Sequence, residues 1–201
     1  VINAAADNEA GRIPMDISRL AIPDVLVMTP PKFEDHRGFL SETFRTNGMT
    51  DFGVDFPWLQ ENHSYSAKAG TVRALHFQTS PEGQAKLVRV VRGAIFDVAV
   101  DLRRGSPTYG KHVSAILSAD NWMQIYIPAG FAHGVCTLEP ETSFTYKASA
   151  YWEPQLEGGL CWDDPALGIE WPVKAEDAIL SERDRKWAPF AQFDSPFAYT
   201  P

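Results

Sequence analysis

Four side chains in this sequence have types and positions suited to moving protons. His76 sits inside the strand-like run VRALHFQ (72–78), Lys86 opens KLVRVVRGAIFDVAVDL (86–102), Tyr146 lies within SFTYKASAY (143–151), and Asp184 follows in LSERDR (180–185). Strand alternation puts His76 in line with Val72 and Ala74, Lys86 with Val88 and Val90, and Tyr146 with Phe144 and Ala148, while Lys147 points the other way. A polar group on an apolar face is costly unless it is paired, which makes these residues candidates for a site. Imidazole changes charge near pH ~6.5, so it can take and return a proton at neutral pH, whereas a phenol with a reference pKa near ~10 stays protonated there. Each residue also has a structural reading. A lone strand histidine is more often a satisfied structural group than a base, a tyrosine can be core, and Lys86 can snorkel from a strand end. Ser181 to Asp184 is in addition an [ST]-x-x-[DE] helix start in which the acid caps.

The elements that must hold these residues are β-strands. From about Val25 to Tyr151, β-branched and aromatic runs alternate with turn chemistry (DHRGF, SPEGQ, VRGA, RRGSPTYG, SADN, PAG, LEPET), the pattern of a sandwich or barrel. Arg92-Gly93 divides two alternating segments and predicts a hairpin, and strands are expected at 111–117, 122–127, 131–138 and 143–151. After Trp152 the composition shifts, and SERDRKW predicts one short C-terminal helix. With no repeat or long linker, residues 15–201 are expected to form a single domain, and residues 1–14 to be an upstream extension or a cloning scar.

Composition narrows the partners. The 201 residues carry 18 Lys and Arg against 26 Asp and Glu, a net charge of −8 that repels phosphate backbones, so neither nucleic acid nor an anionic membrane is expected as a partner. No apolar run approaches the ~20 residues of a membrane span. Cys136 and Cys161 match no metal spacing or disulfide framework; a cytoplasmic protein with inert core thiols is the expectation.

IPAGFAHG (127–134) has the PxGxxH spacing of a cupin motif, which points to a jelly-roll barrel. Metal cupins add an HxH pair and an acid on an earlier strand pair. Here that position reads LHFQ, leaving His76, His133 and His63, which do not match the usual metal pattern.

Together, FEDHRGFLSETF (33–44), QENHS (60–64), VRALHFQ, the 84–110 segment, IPAGFAHG, FTYKASAYW (144–152), WDDPALGIEWP (162–172) and LSERDR resemble the dTDP-4-dehydrorhamnose 3,5-epimerase family, along essentially the whole chain from Met15. The resemblance implies an all-β, double-stranded β-helix (cupin-like jelly roll) with a short C-terminal helical segment, working without metal or cofactor as a homodimer. It implies epimerisation at C3, C5 or both of a dTDP-linked 4-keto-6-deoxy sugar in dTDP-L-rhamnose or related deoxysugar biosynthesis. By resemblance His76 is the base, Tyr146 the opposite-face acid, Lys86 the cation for the enolate, and Asp184 the partner of the base. Arg37, Glu42, Gln60, Asn62, Arg73, His133, Glu157 and Arg183 align with substrate contacts, and Trp152 with a stacking residue. The rivals are a metal-dependent cupin, such as an oxygenase or sugar-phosphate isomerase, and a non-catalytic nucleotide-sugar binding module.

One geometric question follows. Arg73 and His76 are three residues apart, so a regular strand aims them at opposite faces although both should reach substrate. The family has glycine where this chain has Ala74, and a strand glycine often marks a bulge. Ala74 is therefore expected to crowd the pocket and to alter the rate or restrict epimerisation to one carbon.

Overall fold

The computed structural model describes residues 15–79, 81 and 83–200, so residues 1–14 lie outside it. In chain order the strands are β1 (Asp16–Arg19), β2 (Leu26–Thr29), β3 (Phe33–Asp35), β4 (Gly38–Leu40), β5 (Gln60–Ser66), β6 (Val72–Gln78), β7 (Lys86–Arg92), β8 (Ala94–Asp101), β9 (His112–Ser118), β10 (Gln124–Ile127), β11 (Phe131–Thr137), β12 (Thr142–Ala148) and β13 (Glu157–Gly159). They form one six-stranded sheet, ordered β1-β2-β10-β7-β12-β5, and one five-stranded sheet, β13-β6-β11-β8-β9. Among the described residues, every pairing between these strands is antiparallel. This is the two-sheet, all-β architecture of a jelly roll. Among the described residues, β3 and β4 form a separate two-stranded hairpin arm, paired with each other and with no strand of either sheet.

Alternation explains the layering. Val88, Val90, Ile95, Ala99, Leu117, Ile125, Val135 and Phe144 point between the sheets and form the central core. Their intervening neighbours Val98, Val100, Leu75 and Ala132 point outward, where Leu160, Trp162, Leu167 and Phe197 of the C-terminal segment cover them. The outer face of the larger sheet, with Leu26, Met28, Leu87 and Tyr126, is covered by Met49, Val54, Phe56 and Trp58. The central strands are thus buried on both faces, and β8 reads as a nearly continuous apolar run.

Two expectations need correction. Arg92-Gly93 does not turn a hairpin: β7 and β8 lie in different sheets, and Gly93, at φ 75°, takes the chain around the corner between them. A corner and a hairpin both need a glycine between two alternating runs, so the sequence pattern is the same for either. The expected C-terminal helix is also reduced to separate 3₁₀ turns, Asp184–Lys186 and Phe190–Gln192. Trp187 is already extended and Pro189 follows, which stops the first turn from propagating.

Candidate active site

The two sheets part at one end around a cavity of about 760 Å³, within the range of small-molecule sites. The six-stranded sheet supplies one wall: Gln60 and Asn62 from β5, Lys86 from the start of β7, Tyr146 from β12. The five-stranded sheet supplies the facing wall: Arg73 and His76 from β6, His133 from β11, Glu157 from β13. Arg183 and Asp184 arrive from the C-terminal 3₁₀ turn and Trp152 from the loop after β12. The imidazole and the phenol expected to carry protons therefore stand on opposite walls of one space.

A bulge resolves the spacing of Arg73 and His76. His133 pairs with His76 and Val135 with Arg73, so β6 advances three residues while β11 advances two. The extra residue breaks the alternation and turns both side chains toward the cavity. The peptide bond Ala74–Leu75 within this bulge is cis. The alternation that grouped His76 with Ala74 accordingly fails, and so does the expected crowding. Ala74 is fully buried in the outer core, its φ is not positive, and it does not line the cavity. Its methyl faces Gly134 instead, where a Cβ would stand 2.7 Å from that of Ala74.

His76 Nε2 lies 2.8 Å from Asp184 Oδ1, and the carboxylate is 4% exposed. The capping interaction is made by Ser181, whose Oγ accepts the Asp184 amide at 3.1 Å, so the acid itself is free to hold the imidazole. Burial pushes the Asp184 carboxyl up, but the hydrogen bond and charge of His76, with Ser181 and Arg183, outweigh it and hold the group below the usual range. Burial lowers the Lys86 ammonium to about 8 against the pull of Asp97 and Glu157. Its Nζ is 5.8 Å from the centre of the Tyr146 ring. Burial, with Glu157 adding and Arg73 opposing, pushes the Tyr146 phenol up, which keeps it protonated at neutral pH.

The remaining groups shape the walls. His133 Nε2 is 3.0 Å from both carboxylate oxygens of Asp97, which is wholly buried. Burial lowers the His133 pKa while Asp97 opposes. Gln60 donates to Asn62 Oδ1 at 3.0 Å and accepts the Trp152 amide at 2.9 Å. Glu157 holds Arg183 at 2.6 Å. Trp152, half exposed, stands at the mouth with Arg73. Among the described residues no cluster of three or more His, Cys, Asp or Glu is arranged to hold a metal ion.

Arg37 and Glu42 do not line this cavity. Arg37, on the exposed tip of the β3–β4 arm, is paired with Asp35, and Glu42 with Arg45. Sequence reasoning missed Asp97 and Gln78. Asp97 is a carboxylate within the apolar run of β8, a visible sign of a buried pair. Gln78 lines the cavity and fixes the Trp152 segment by bonding Tyr151 O and the Glu153 amide.

Residues 19–192 match the family model described as dTDP-4-dehydrorhamnose 3,5-epimerase. The chain is 48% identical over 185 residues to the dTDP-4-dehydrorhamnose 3,5-epimerase of Sinorhizobium fredii, covering 92% of this chain and 94% of that one. Among solved structures it is similar to dTDP-6-deoxy-D-glucose-3,5-epimerase of Legionella pneumophila in complex with dTDP-4-keto-L-rhamnose (TM-score 0.88, 37% identity, 94% of this chain and 100% of that one). It is also similar to the Bacillus anthracis dTDP-4-dehydrorhamnose 3,5-epimerase with TDP and pyrophosphate bound (TM-score 0.84, 43% identity, 88% and 99%).

Proposed function

The chain belongs to the dTDP-4-dehydrorhamnose 3,5-epimerase family, and we propose that His76 and Tyr146 carry protons on opposite faces of the sugar ring. The activity is 3,5-epimerisation in dTDP-L-rhamnose biosynthesis. The observation that carries the residue assignment is the dyad of His76 and buried Asp184 facing Tyr146 and Lys86 across one cavity.

The C4 ketone acidifies the protons on C3 and C5, so the reaction needs a base, an acid and a charge for the oxygen, and the reading assigns no cofactor. His76 removes a proton from one face. Asp184 fixes the imidazole and stabilises the imidazolium as it forms. Lys86, while charged, stabilises the enolate oxygen, which exists only after proton removal and so favours the transition state over the ground state. Tyr146, which its raised pKa keeps protonated at neutral pH, then delivers a proton to the other face.

The ligand is a dTDP-linked 4-keto-6-deoxyhexose, with Arg73 and Arg183 at the mouth for the diphosphate and Trp152 for the nucleoside. Gln60, Asn62, His133 and Glu157 surround the sugar. Arg37 and Glu42 reach substrate only if the protein is a homodimer in which the arm of one copy extends to the other. The exposure of Phe39 and Leu40, 50% and 66%, supports such a covered arm. Residues 15–201 work as one unit by this reading, and the free thiols Cys136 and Cys161 fit a reducing cytoplasm.

Incubation with dTDP-4-keto-6-deoxyglucose in deuterated water, followed by proton NMR, tests the function. Deuterium at C3 and C5 with inversion at both is expected; an unlabelled, unchanged sugar would overturn it.

A further inference from the structure

The β3–β4 arm makes no ladder with either sheet, so its direction must be fixed by side chains at its base. An isolated two-stranded hairpin has little stability of its own. The residue that meets this base is Trp122, in the turn between β9 and β10.

Trp122 has φ 62°, a left-handed conformation that a bulky residue rarely adopts. The Asn121 side chain braces the turn, accepting the Ser118 and Met123 amides and donating to Ile116 O. The indole packs into none of the three apolar cores. Its Nε1 instead donates to Ser41 Oγ at 3.2 Å, just beyond β4. The Phe39 ring meets it edge-on, centroids 5.0 Å apart. Lys32 Nζ lies 4.4 Å from its ring centre on the approach to the arm, and the Arg89 guanidinium carbon lies 4.4 Å away on β7. Arg89 Nε is buried and has no hydrogen-bond partner among the described residues. One indole therefore joins the sheet (Arg89), the arm's entry (Lys32) and the arm's exit (Phe39, Ser41). The contacts explain why a strained backbone position holds the largest side chain.

We infer that Trp122 is a positioning residue for the reaction: it clamps the base of the β3–β4 arm and so sets the direction in which the arm presents Arg37 to nucleotide sugar bound in a second copy. The inference rests on the reading above that the arm reaches substrate. Trp122 touches no reacting atom and acts through Arg37.

The test measures KM and kcat for dTDP-4-keto-6-deoxyglucose in Trp122→Asn, Trp122→Phe, Arg37→Ala and the double variant Trp122→Asn/Arg37→Ala. Asparagine accepts a left-handed backbone, so Trp122→Asn keeps the turn while deleting the ring. Its KM should rise about fivefold with kcat changed less than about twofold, the pattern of lost substrate binding. Trp122→Phe, which keeps the ring stacking and loses only the bond to Ser41, should recover most of that loss. Arg37→Ala should raise KM by at least as much, and the double variant should be no worse than Arg37→Ala alone. A native KM in Trp122→Asn beside a raised KM in Arg37→Ala overturns the clamp and leaves the arm reading standing. A native KM in Arg37→Ala overturns the arm reading and the clamp with it. Additive losses in the double variant overturn the clamp, because Trp122 then acts by another route. Should Trp122→Asn fail to fold, Trp122→Gly, which also accepts the left-handed backbone and deletes the ring, is compared with Arg37→Ala in the same way.

Discussion

Replacing Asp184 by Asn removes one charge while keeping the side chain's size and a hydrogen-bond acceptor. The carboxylate oxygen is 2.8 Å from His76 Nε2 and almost wholly buried, so water screens the pair poorly. A hydrogen bond to a charged group contributes about 1.5–3 kcal/mol. Once the imidazole takes a proton from the sugar, opposite charges roughly 4 Å apart attract by about 4 kcal/mol at an effective dielectric constant of ~20. Asparagine forfeits most of that second quantity, so the barrier to proton removal should rise by ~2–4 kcal/mol and kcat should fall roughly 30- to 1,000-fold. KM should change little, because Asp184 acts through His76. The assay is the initial rate of deuterium entry at C3 and C5, with thermal unfolding run in parallel. A carboxyl held below the usual range stabilises the fold at pH values above its unfolded pKa, and that stability is lost as pH falls through the lower folded value. The native protein should therefore lose stability below about pH 4 by an amount that Asp184→Asn lacks. If Asp184→Asn keeps kcat within about threefold of native while remaining folded, the carboxylate only packs against the imidazole and the dyad assignment is wrong.

Lys86, lowered to about 8, gives the reaction an alkaline limb: kcat should decline as pH rises through that value, because the neutral amine no longer stabilises an enolate. Stability should move the other way. Between about pH 8 and 10 the unfolded chain holds the lysine proton that the folded chain has released, so unfolding free energy climbs with pH, and Lys86→Met should lack this rise in denaturant titrations. Asp97→Ala strips His133 of its buried partner and should cost about 1–3 kcal/mol, read as a lower Tm. Gly134→Ala pushes a methyl against Ala74 and Leu75 and should destabilise by about 1–3 kcal/mol, partly relieved in the double variant with Ala74→Gly. Ala74→Gly alone should leave the label pattern at C3 and C5 unchanged, since the residue does not line the cavity.

Much of this protein was legible in its sequence, for identifiable reasons. The strands from β9 to β12 follow from β-branched and aromatic runs bounded by turn residues, and they fall within three residues of the expected bounds. Lys86 and Tyr146 share the inner face with Val88 and Phe144 because β7 and β12 are regular where they carry these residues. His76 does not share a face with Ala74 because one extra residue in β6 resets the period; the Arg73–His76 spacing hints at such a bulge, but its position shows only in the register against β11. The β7–β8 corner was hidden for a similar reason: a glycine at positive φ serves a hairpin or a change of sheet, and only the packing of β8 beside β11 decides. Asp184 lay between two readings on the residues alone, and the geometry gives each role its own residue, Ser181 for the cap and Asp184 for the base.

The central claim is that two proton carriers stand on opposite walls of one cavity, and proton NMR of the sugar in deuterated water with Tyr146→Phe beside His76→Asn tests it most directly. The account predicts that Tyr146→Phe still washes deuterium into C3 and C5 but yields little inverted product, while His76→Asn binds the nucleotide sugar and exchanges nothing. Robust exchange with His76→Asn, or full inversion with Tyr146→Phe, would contradict it.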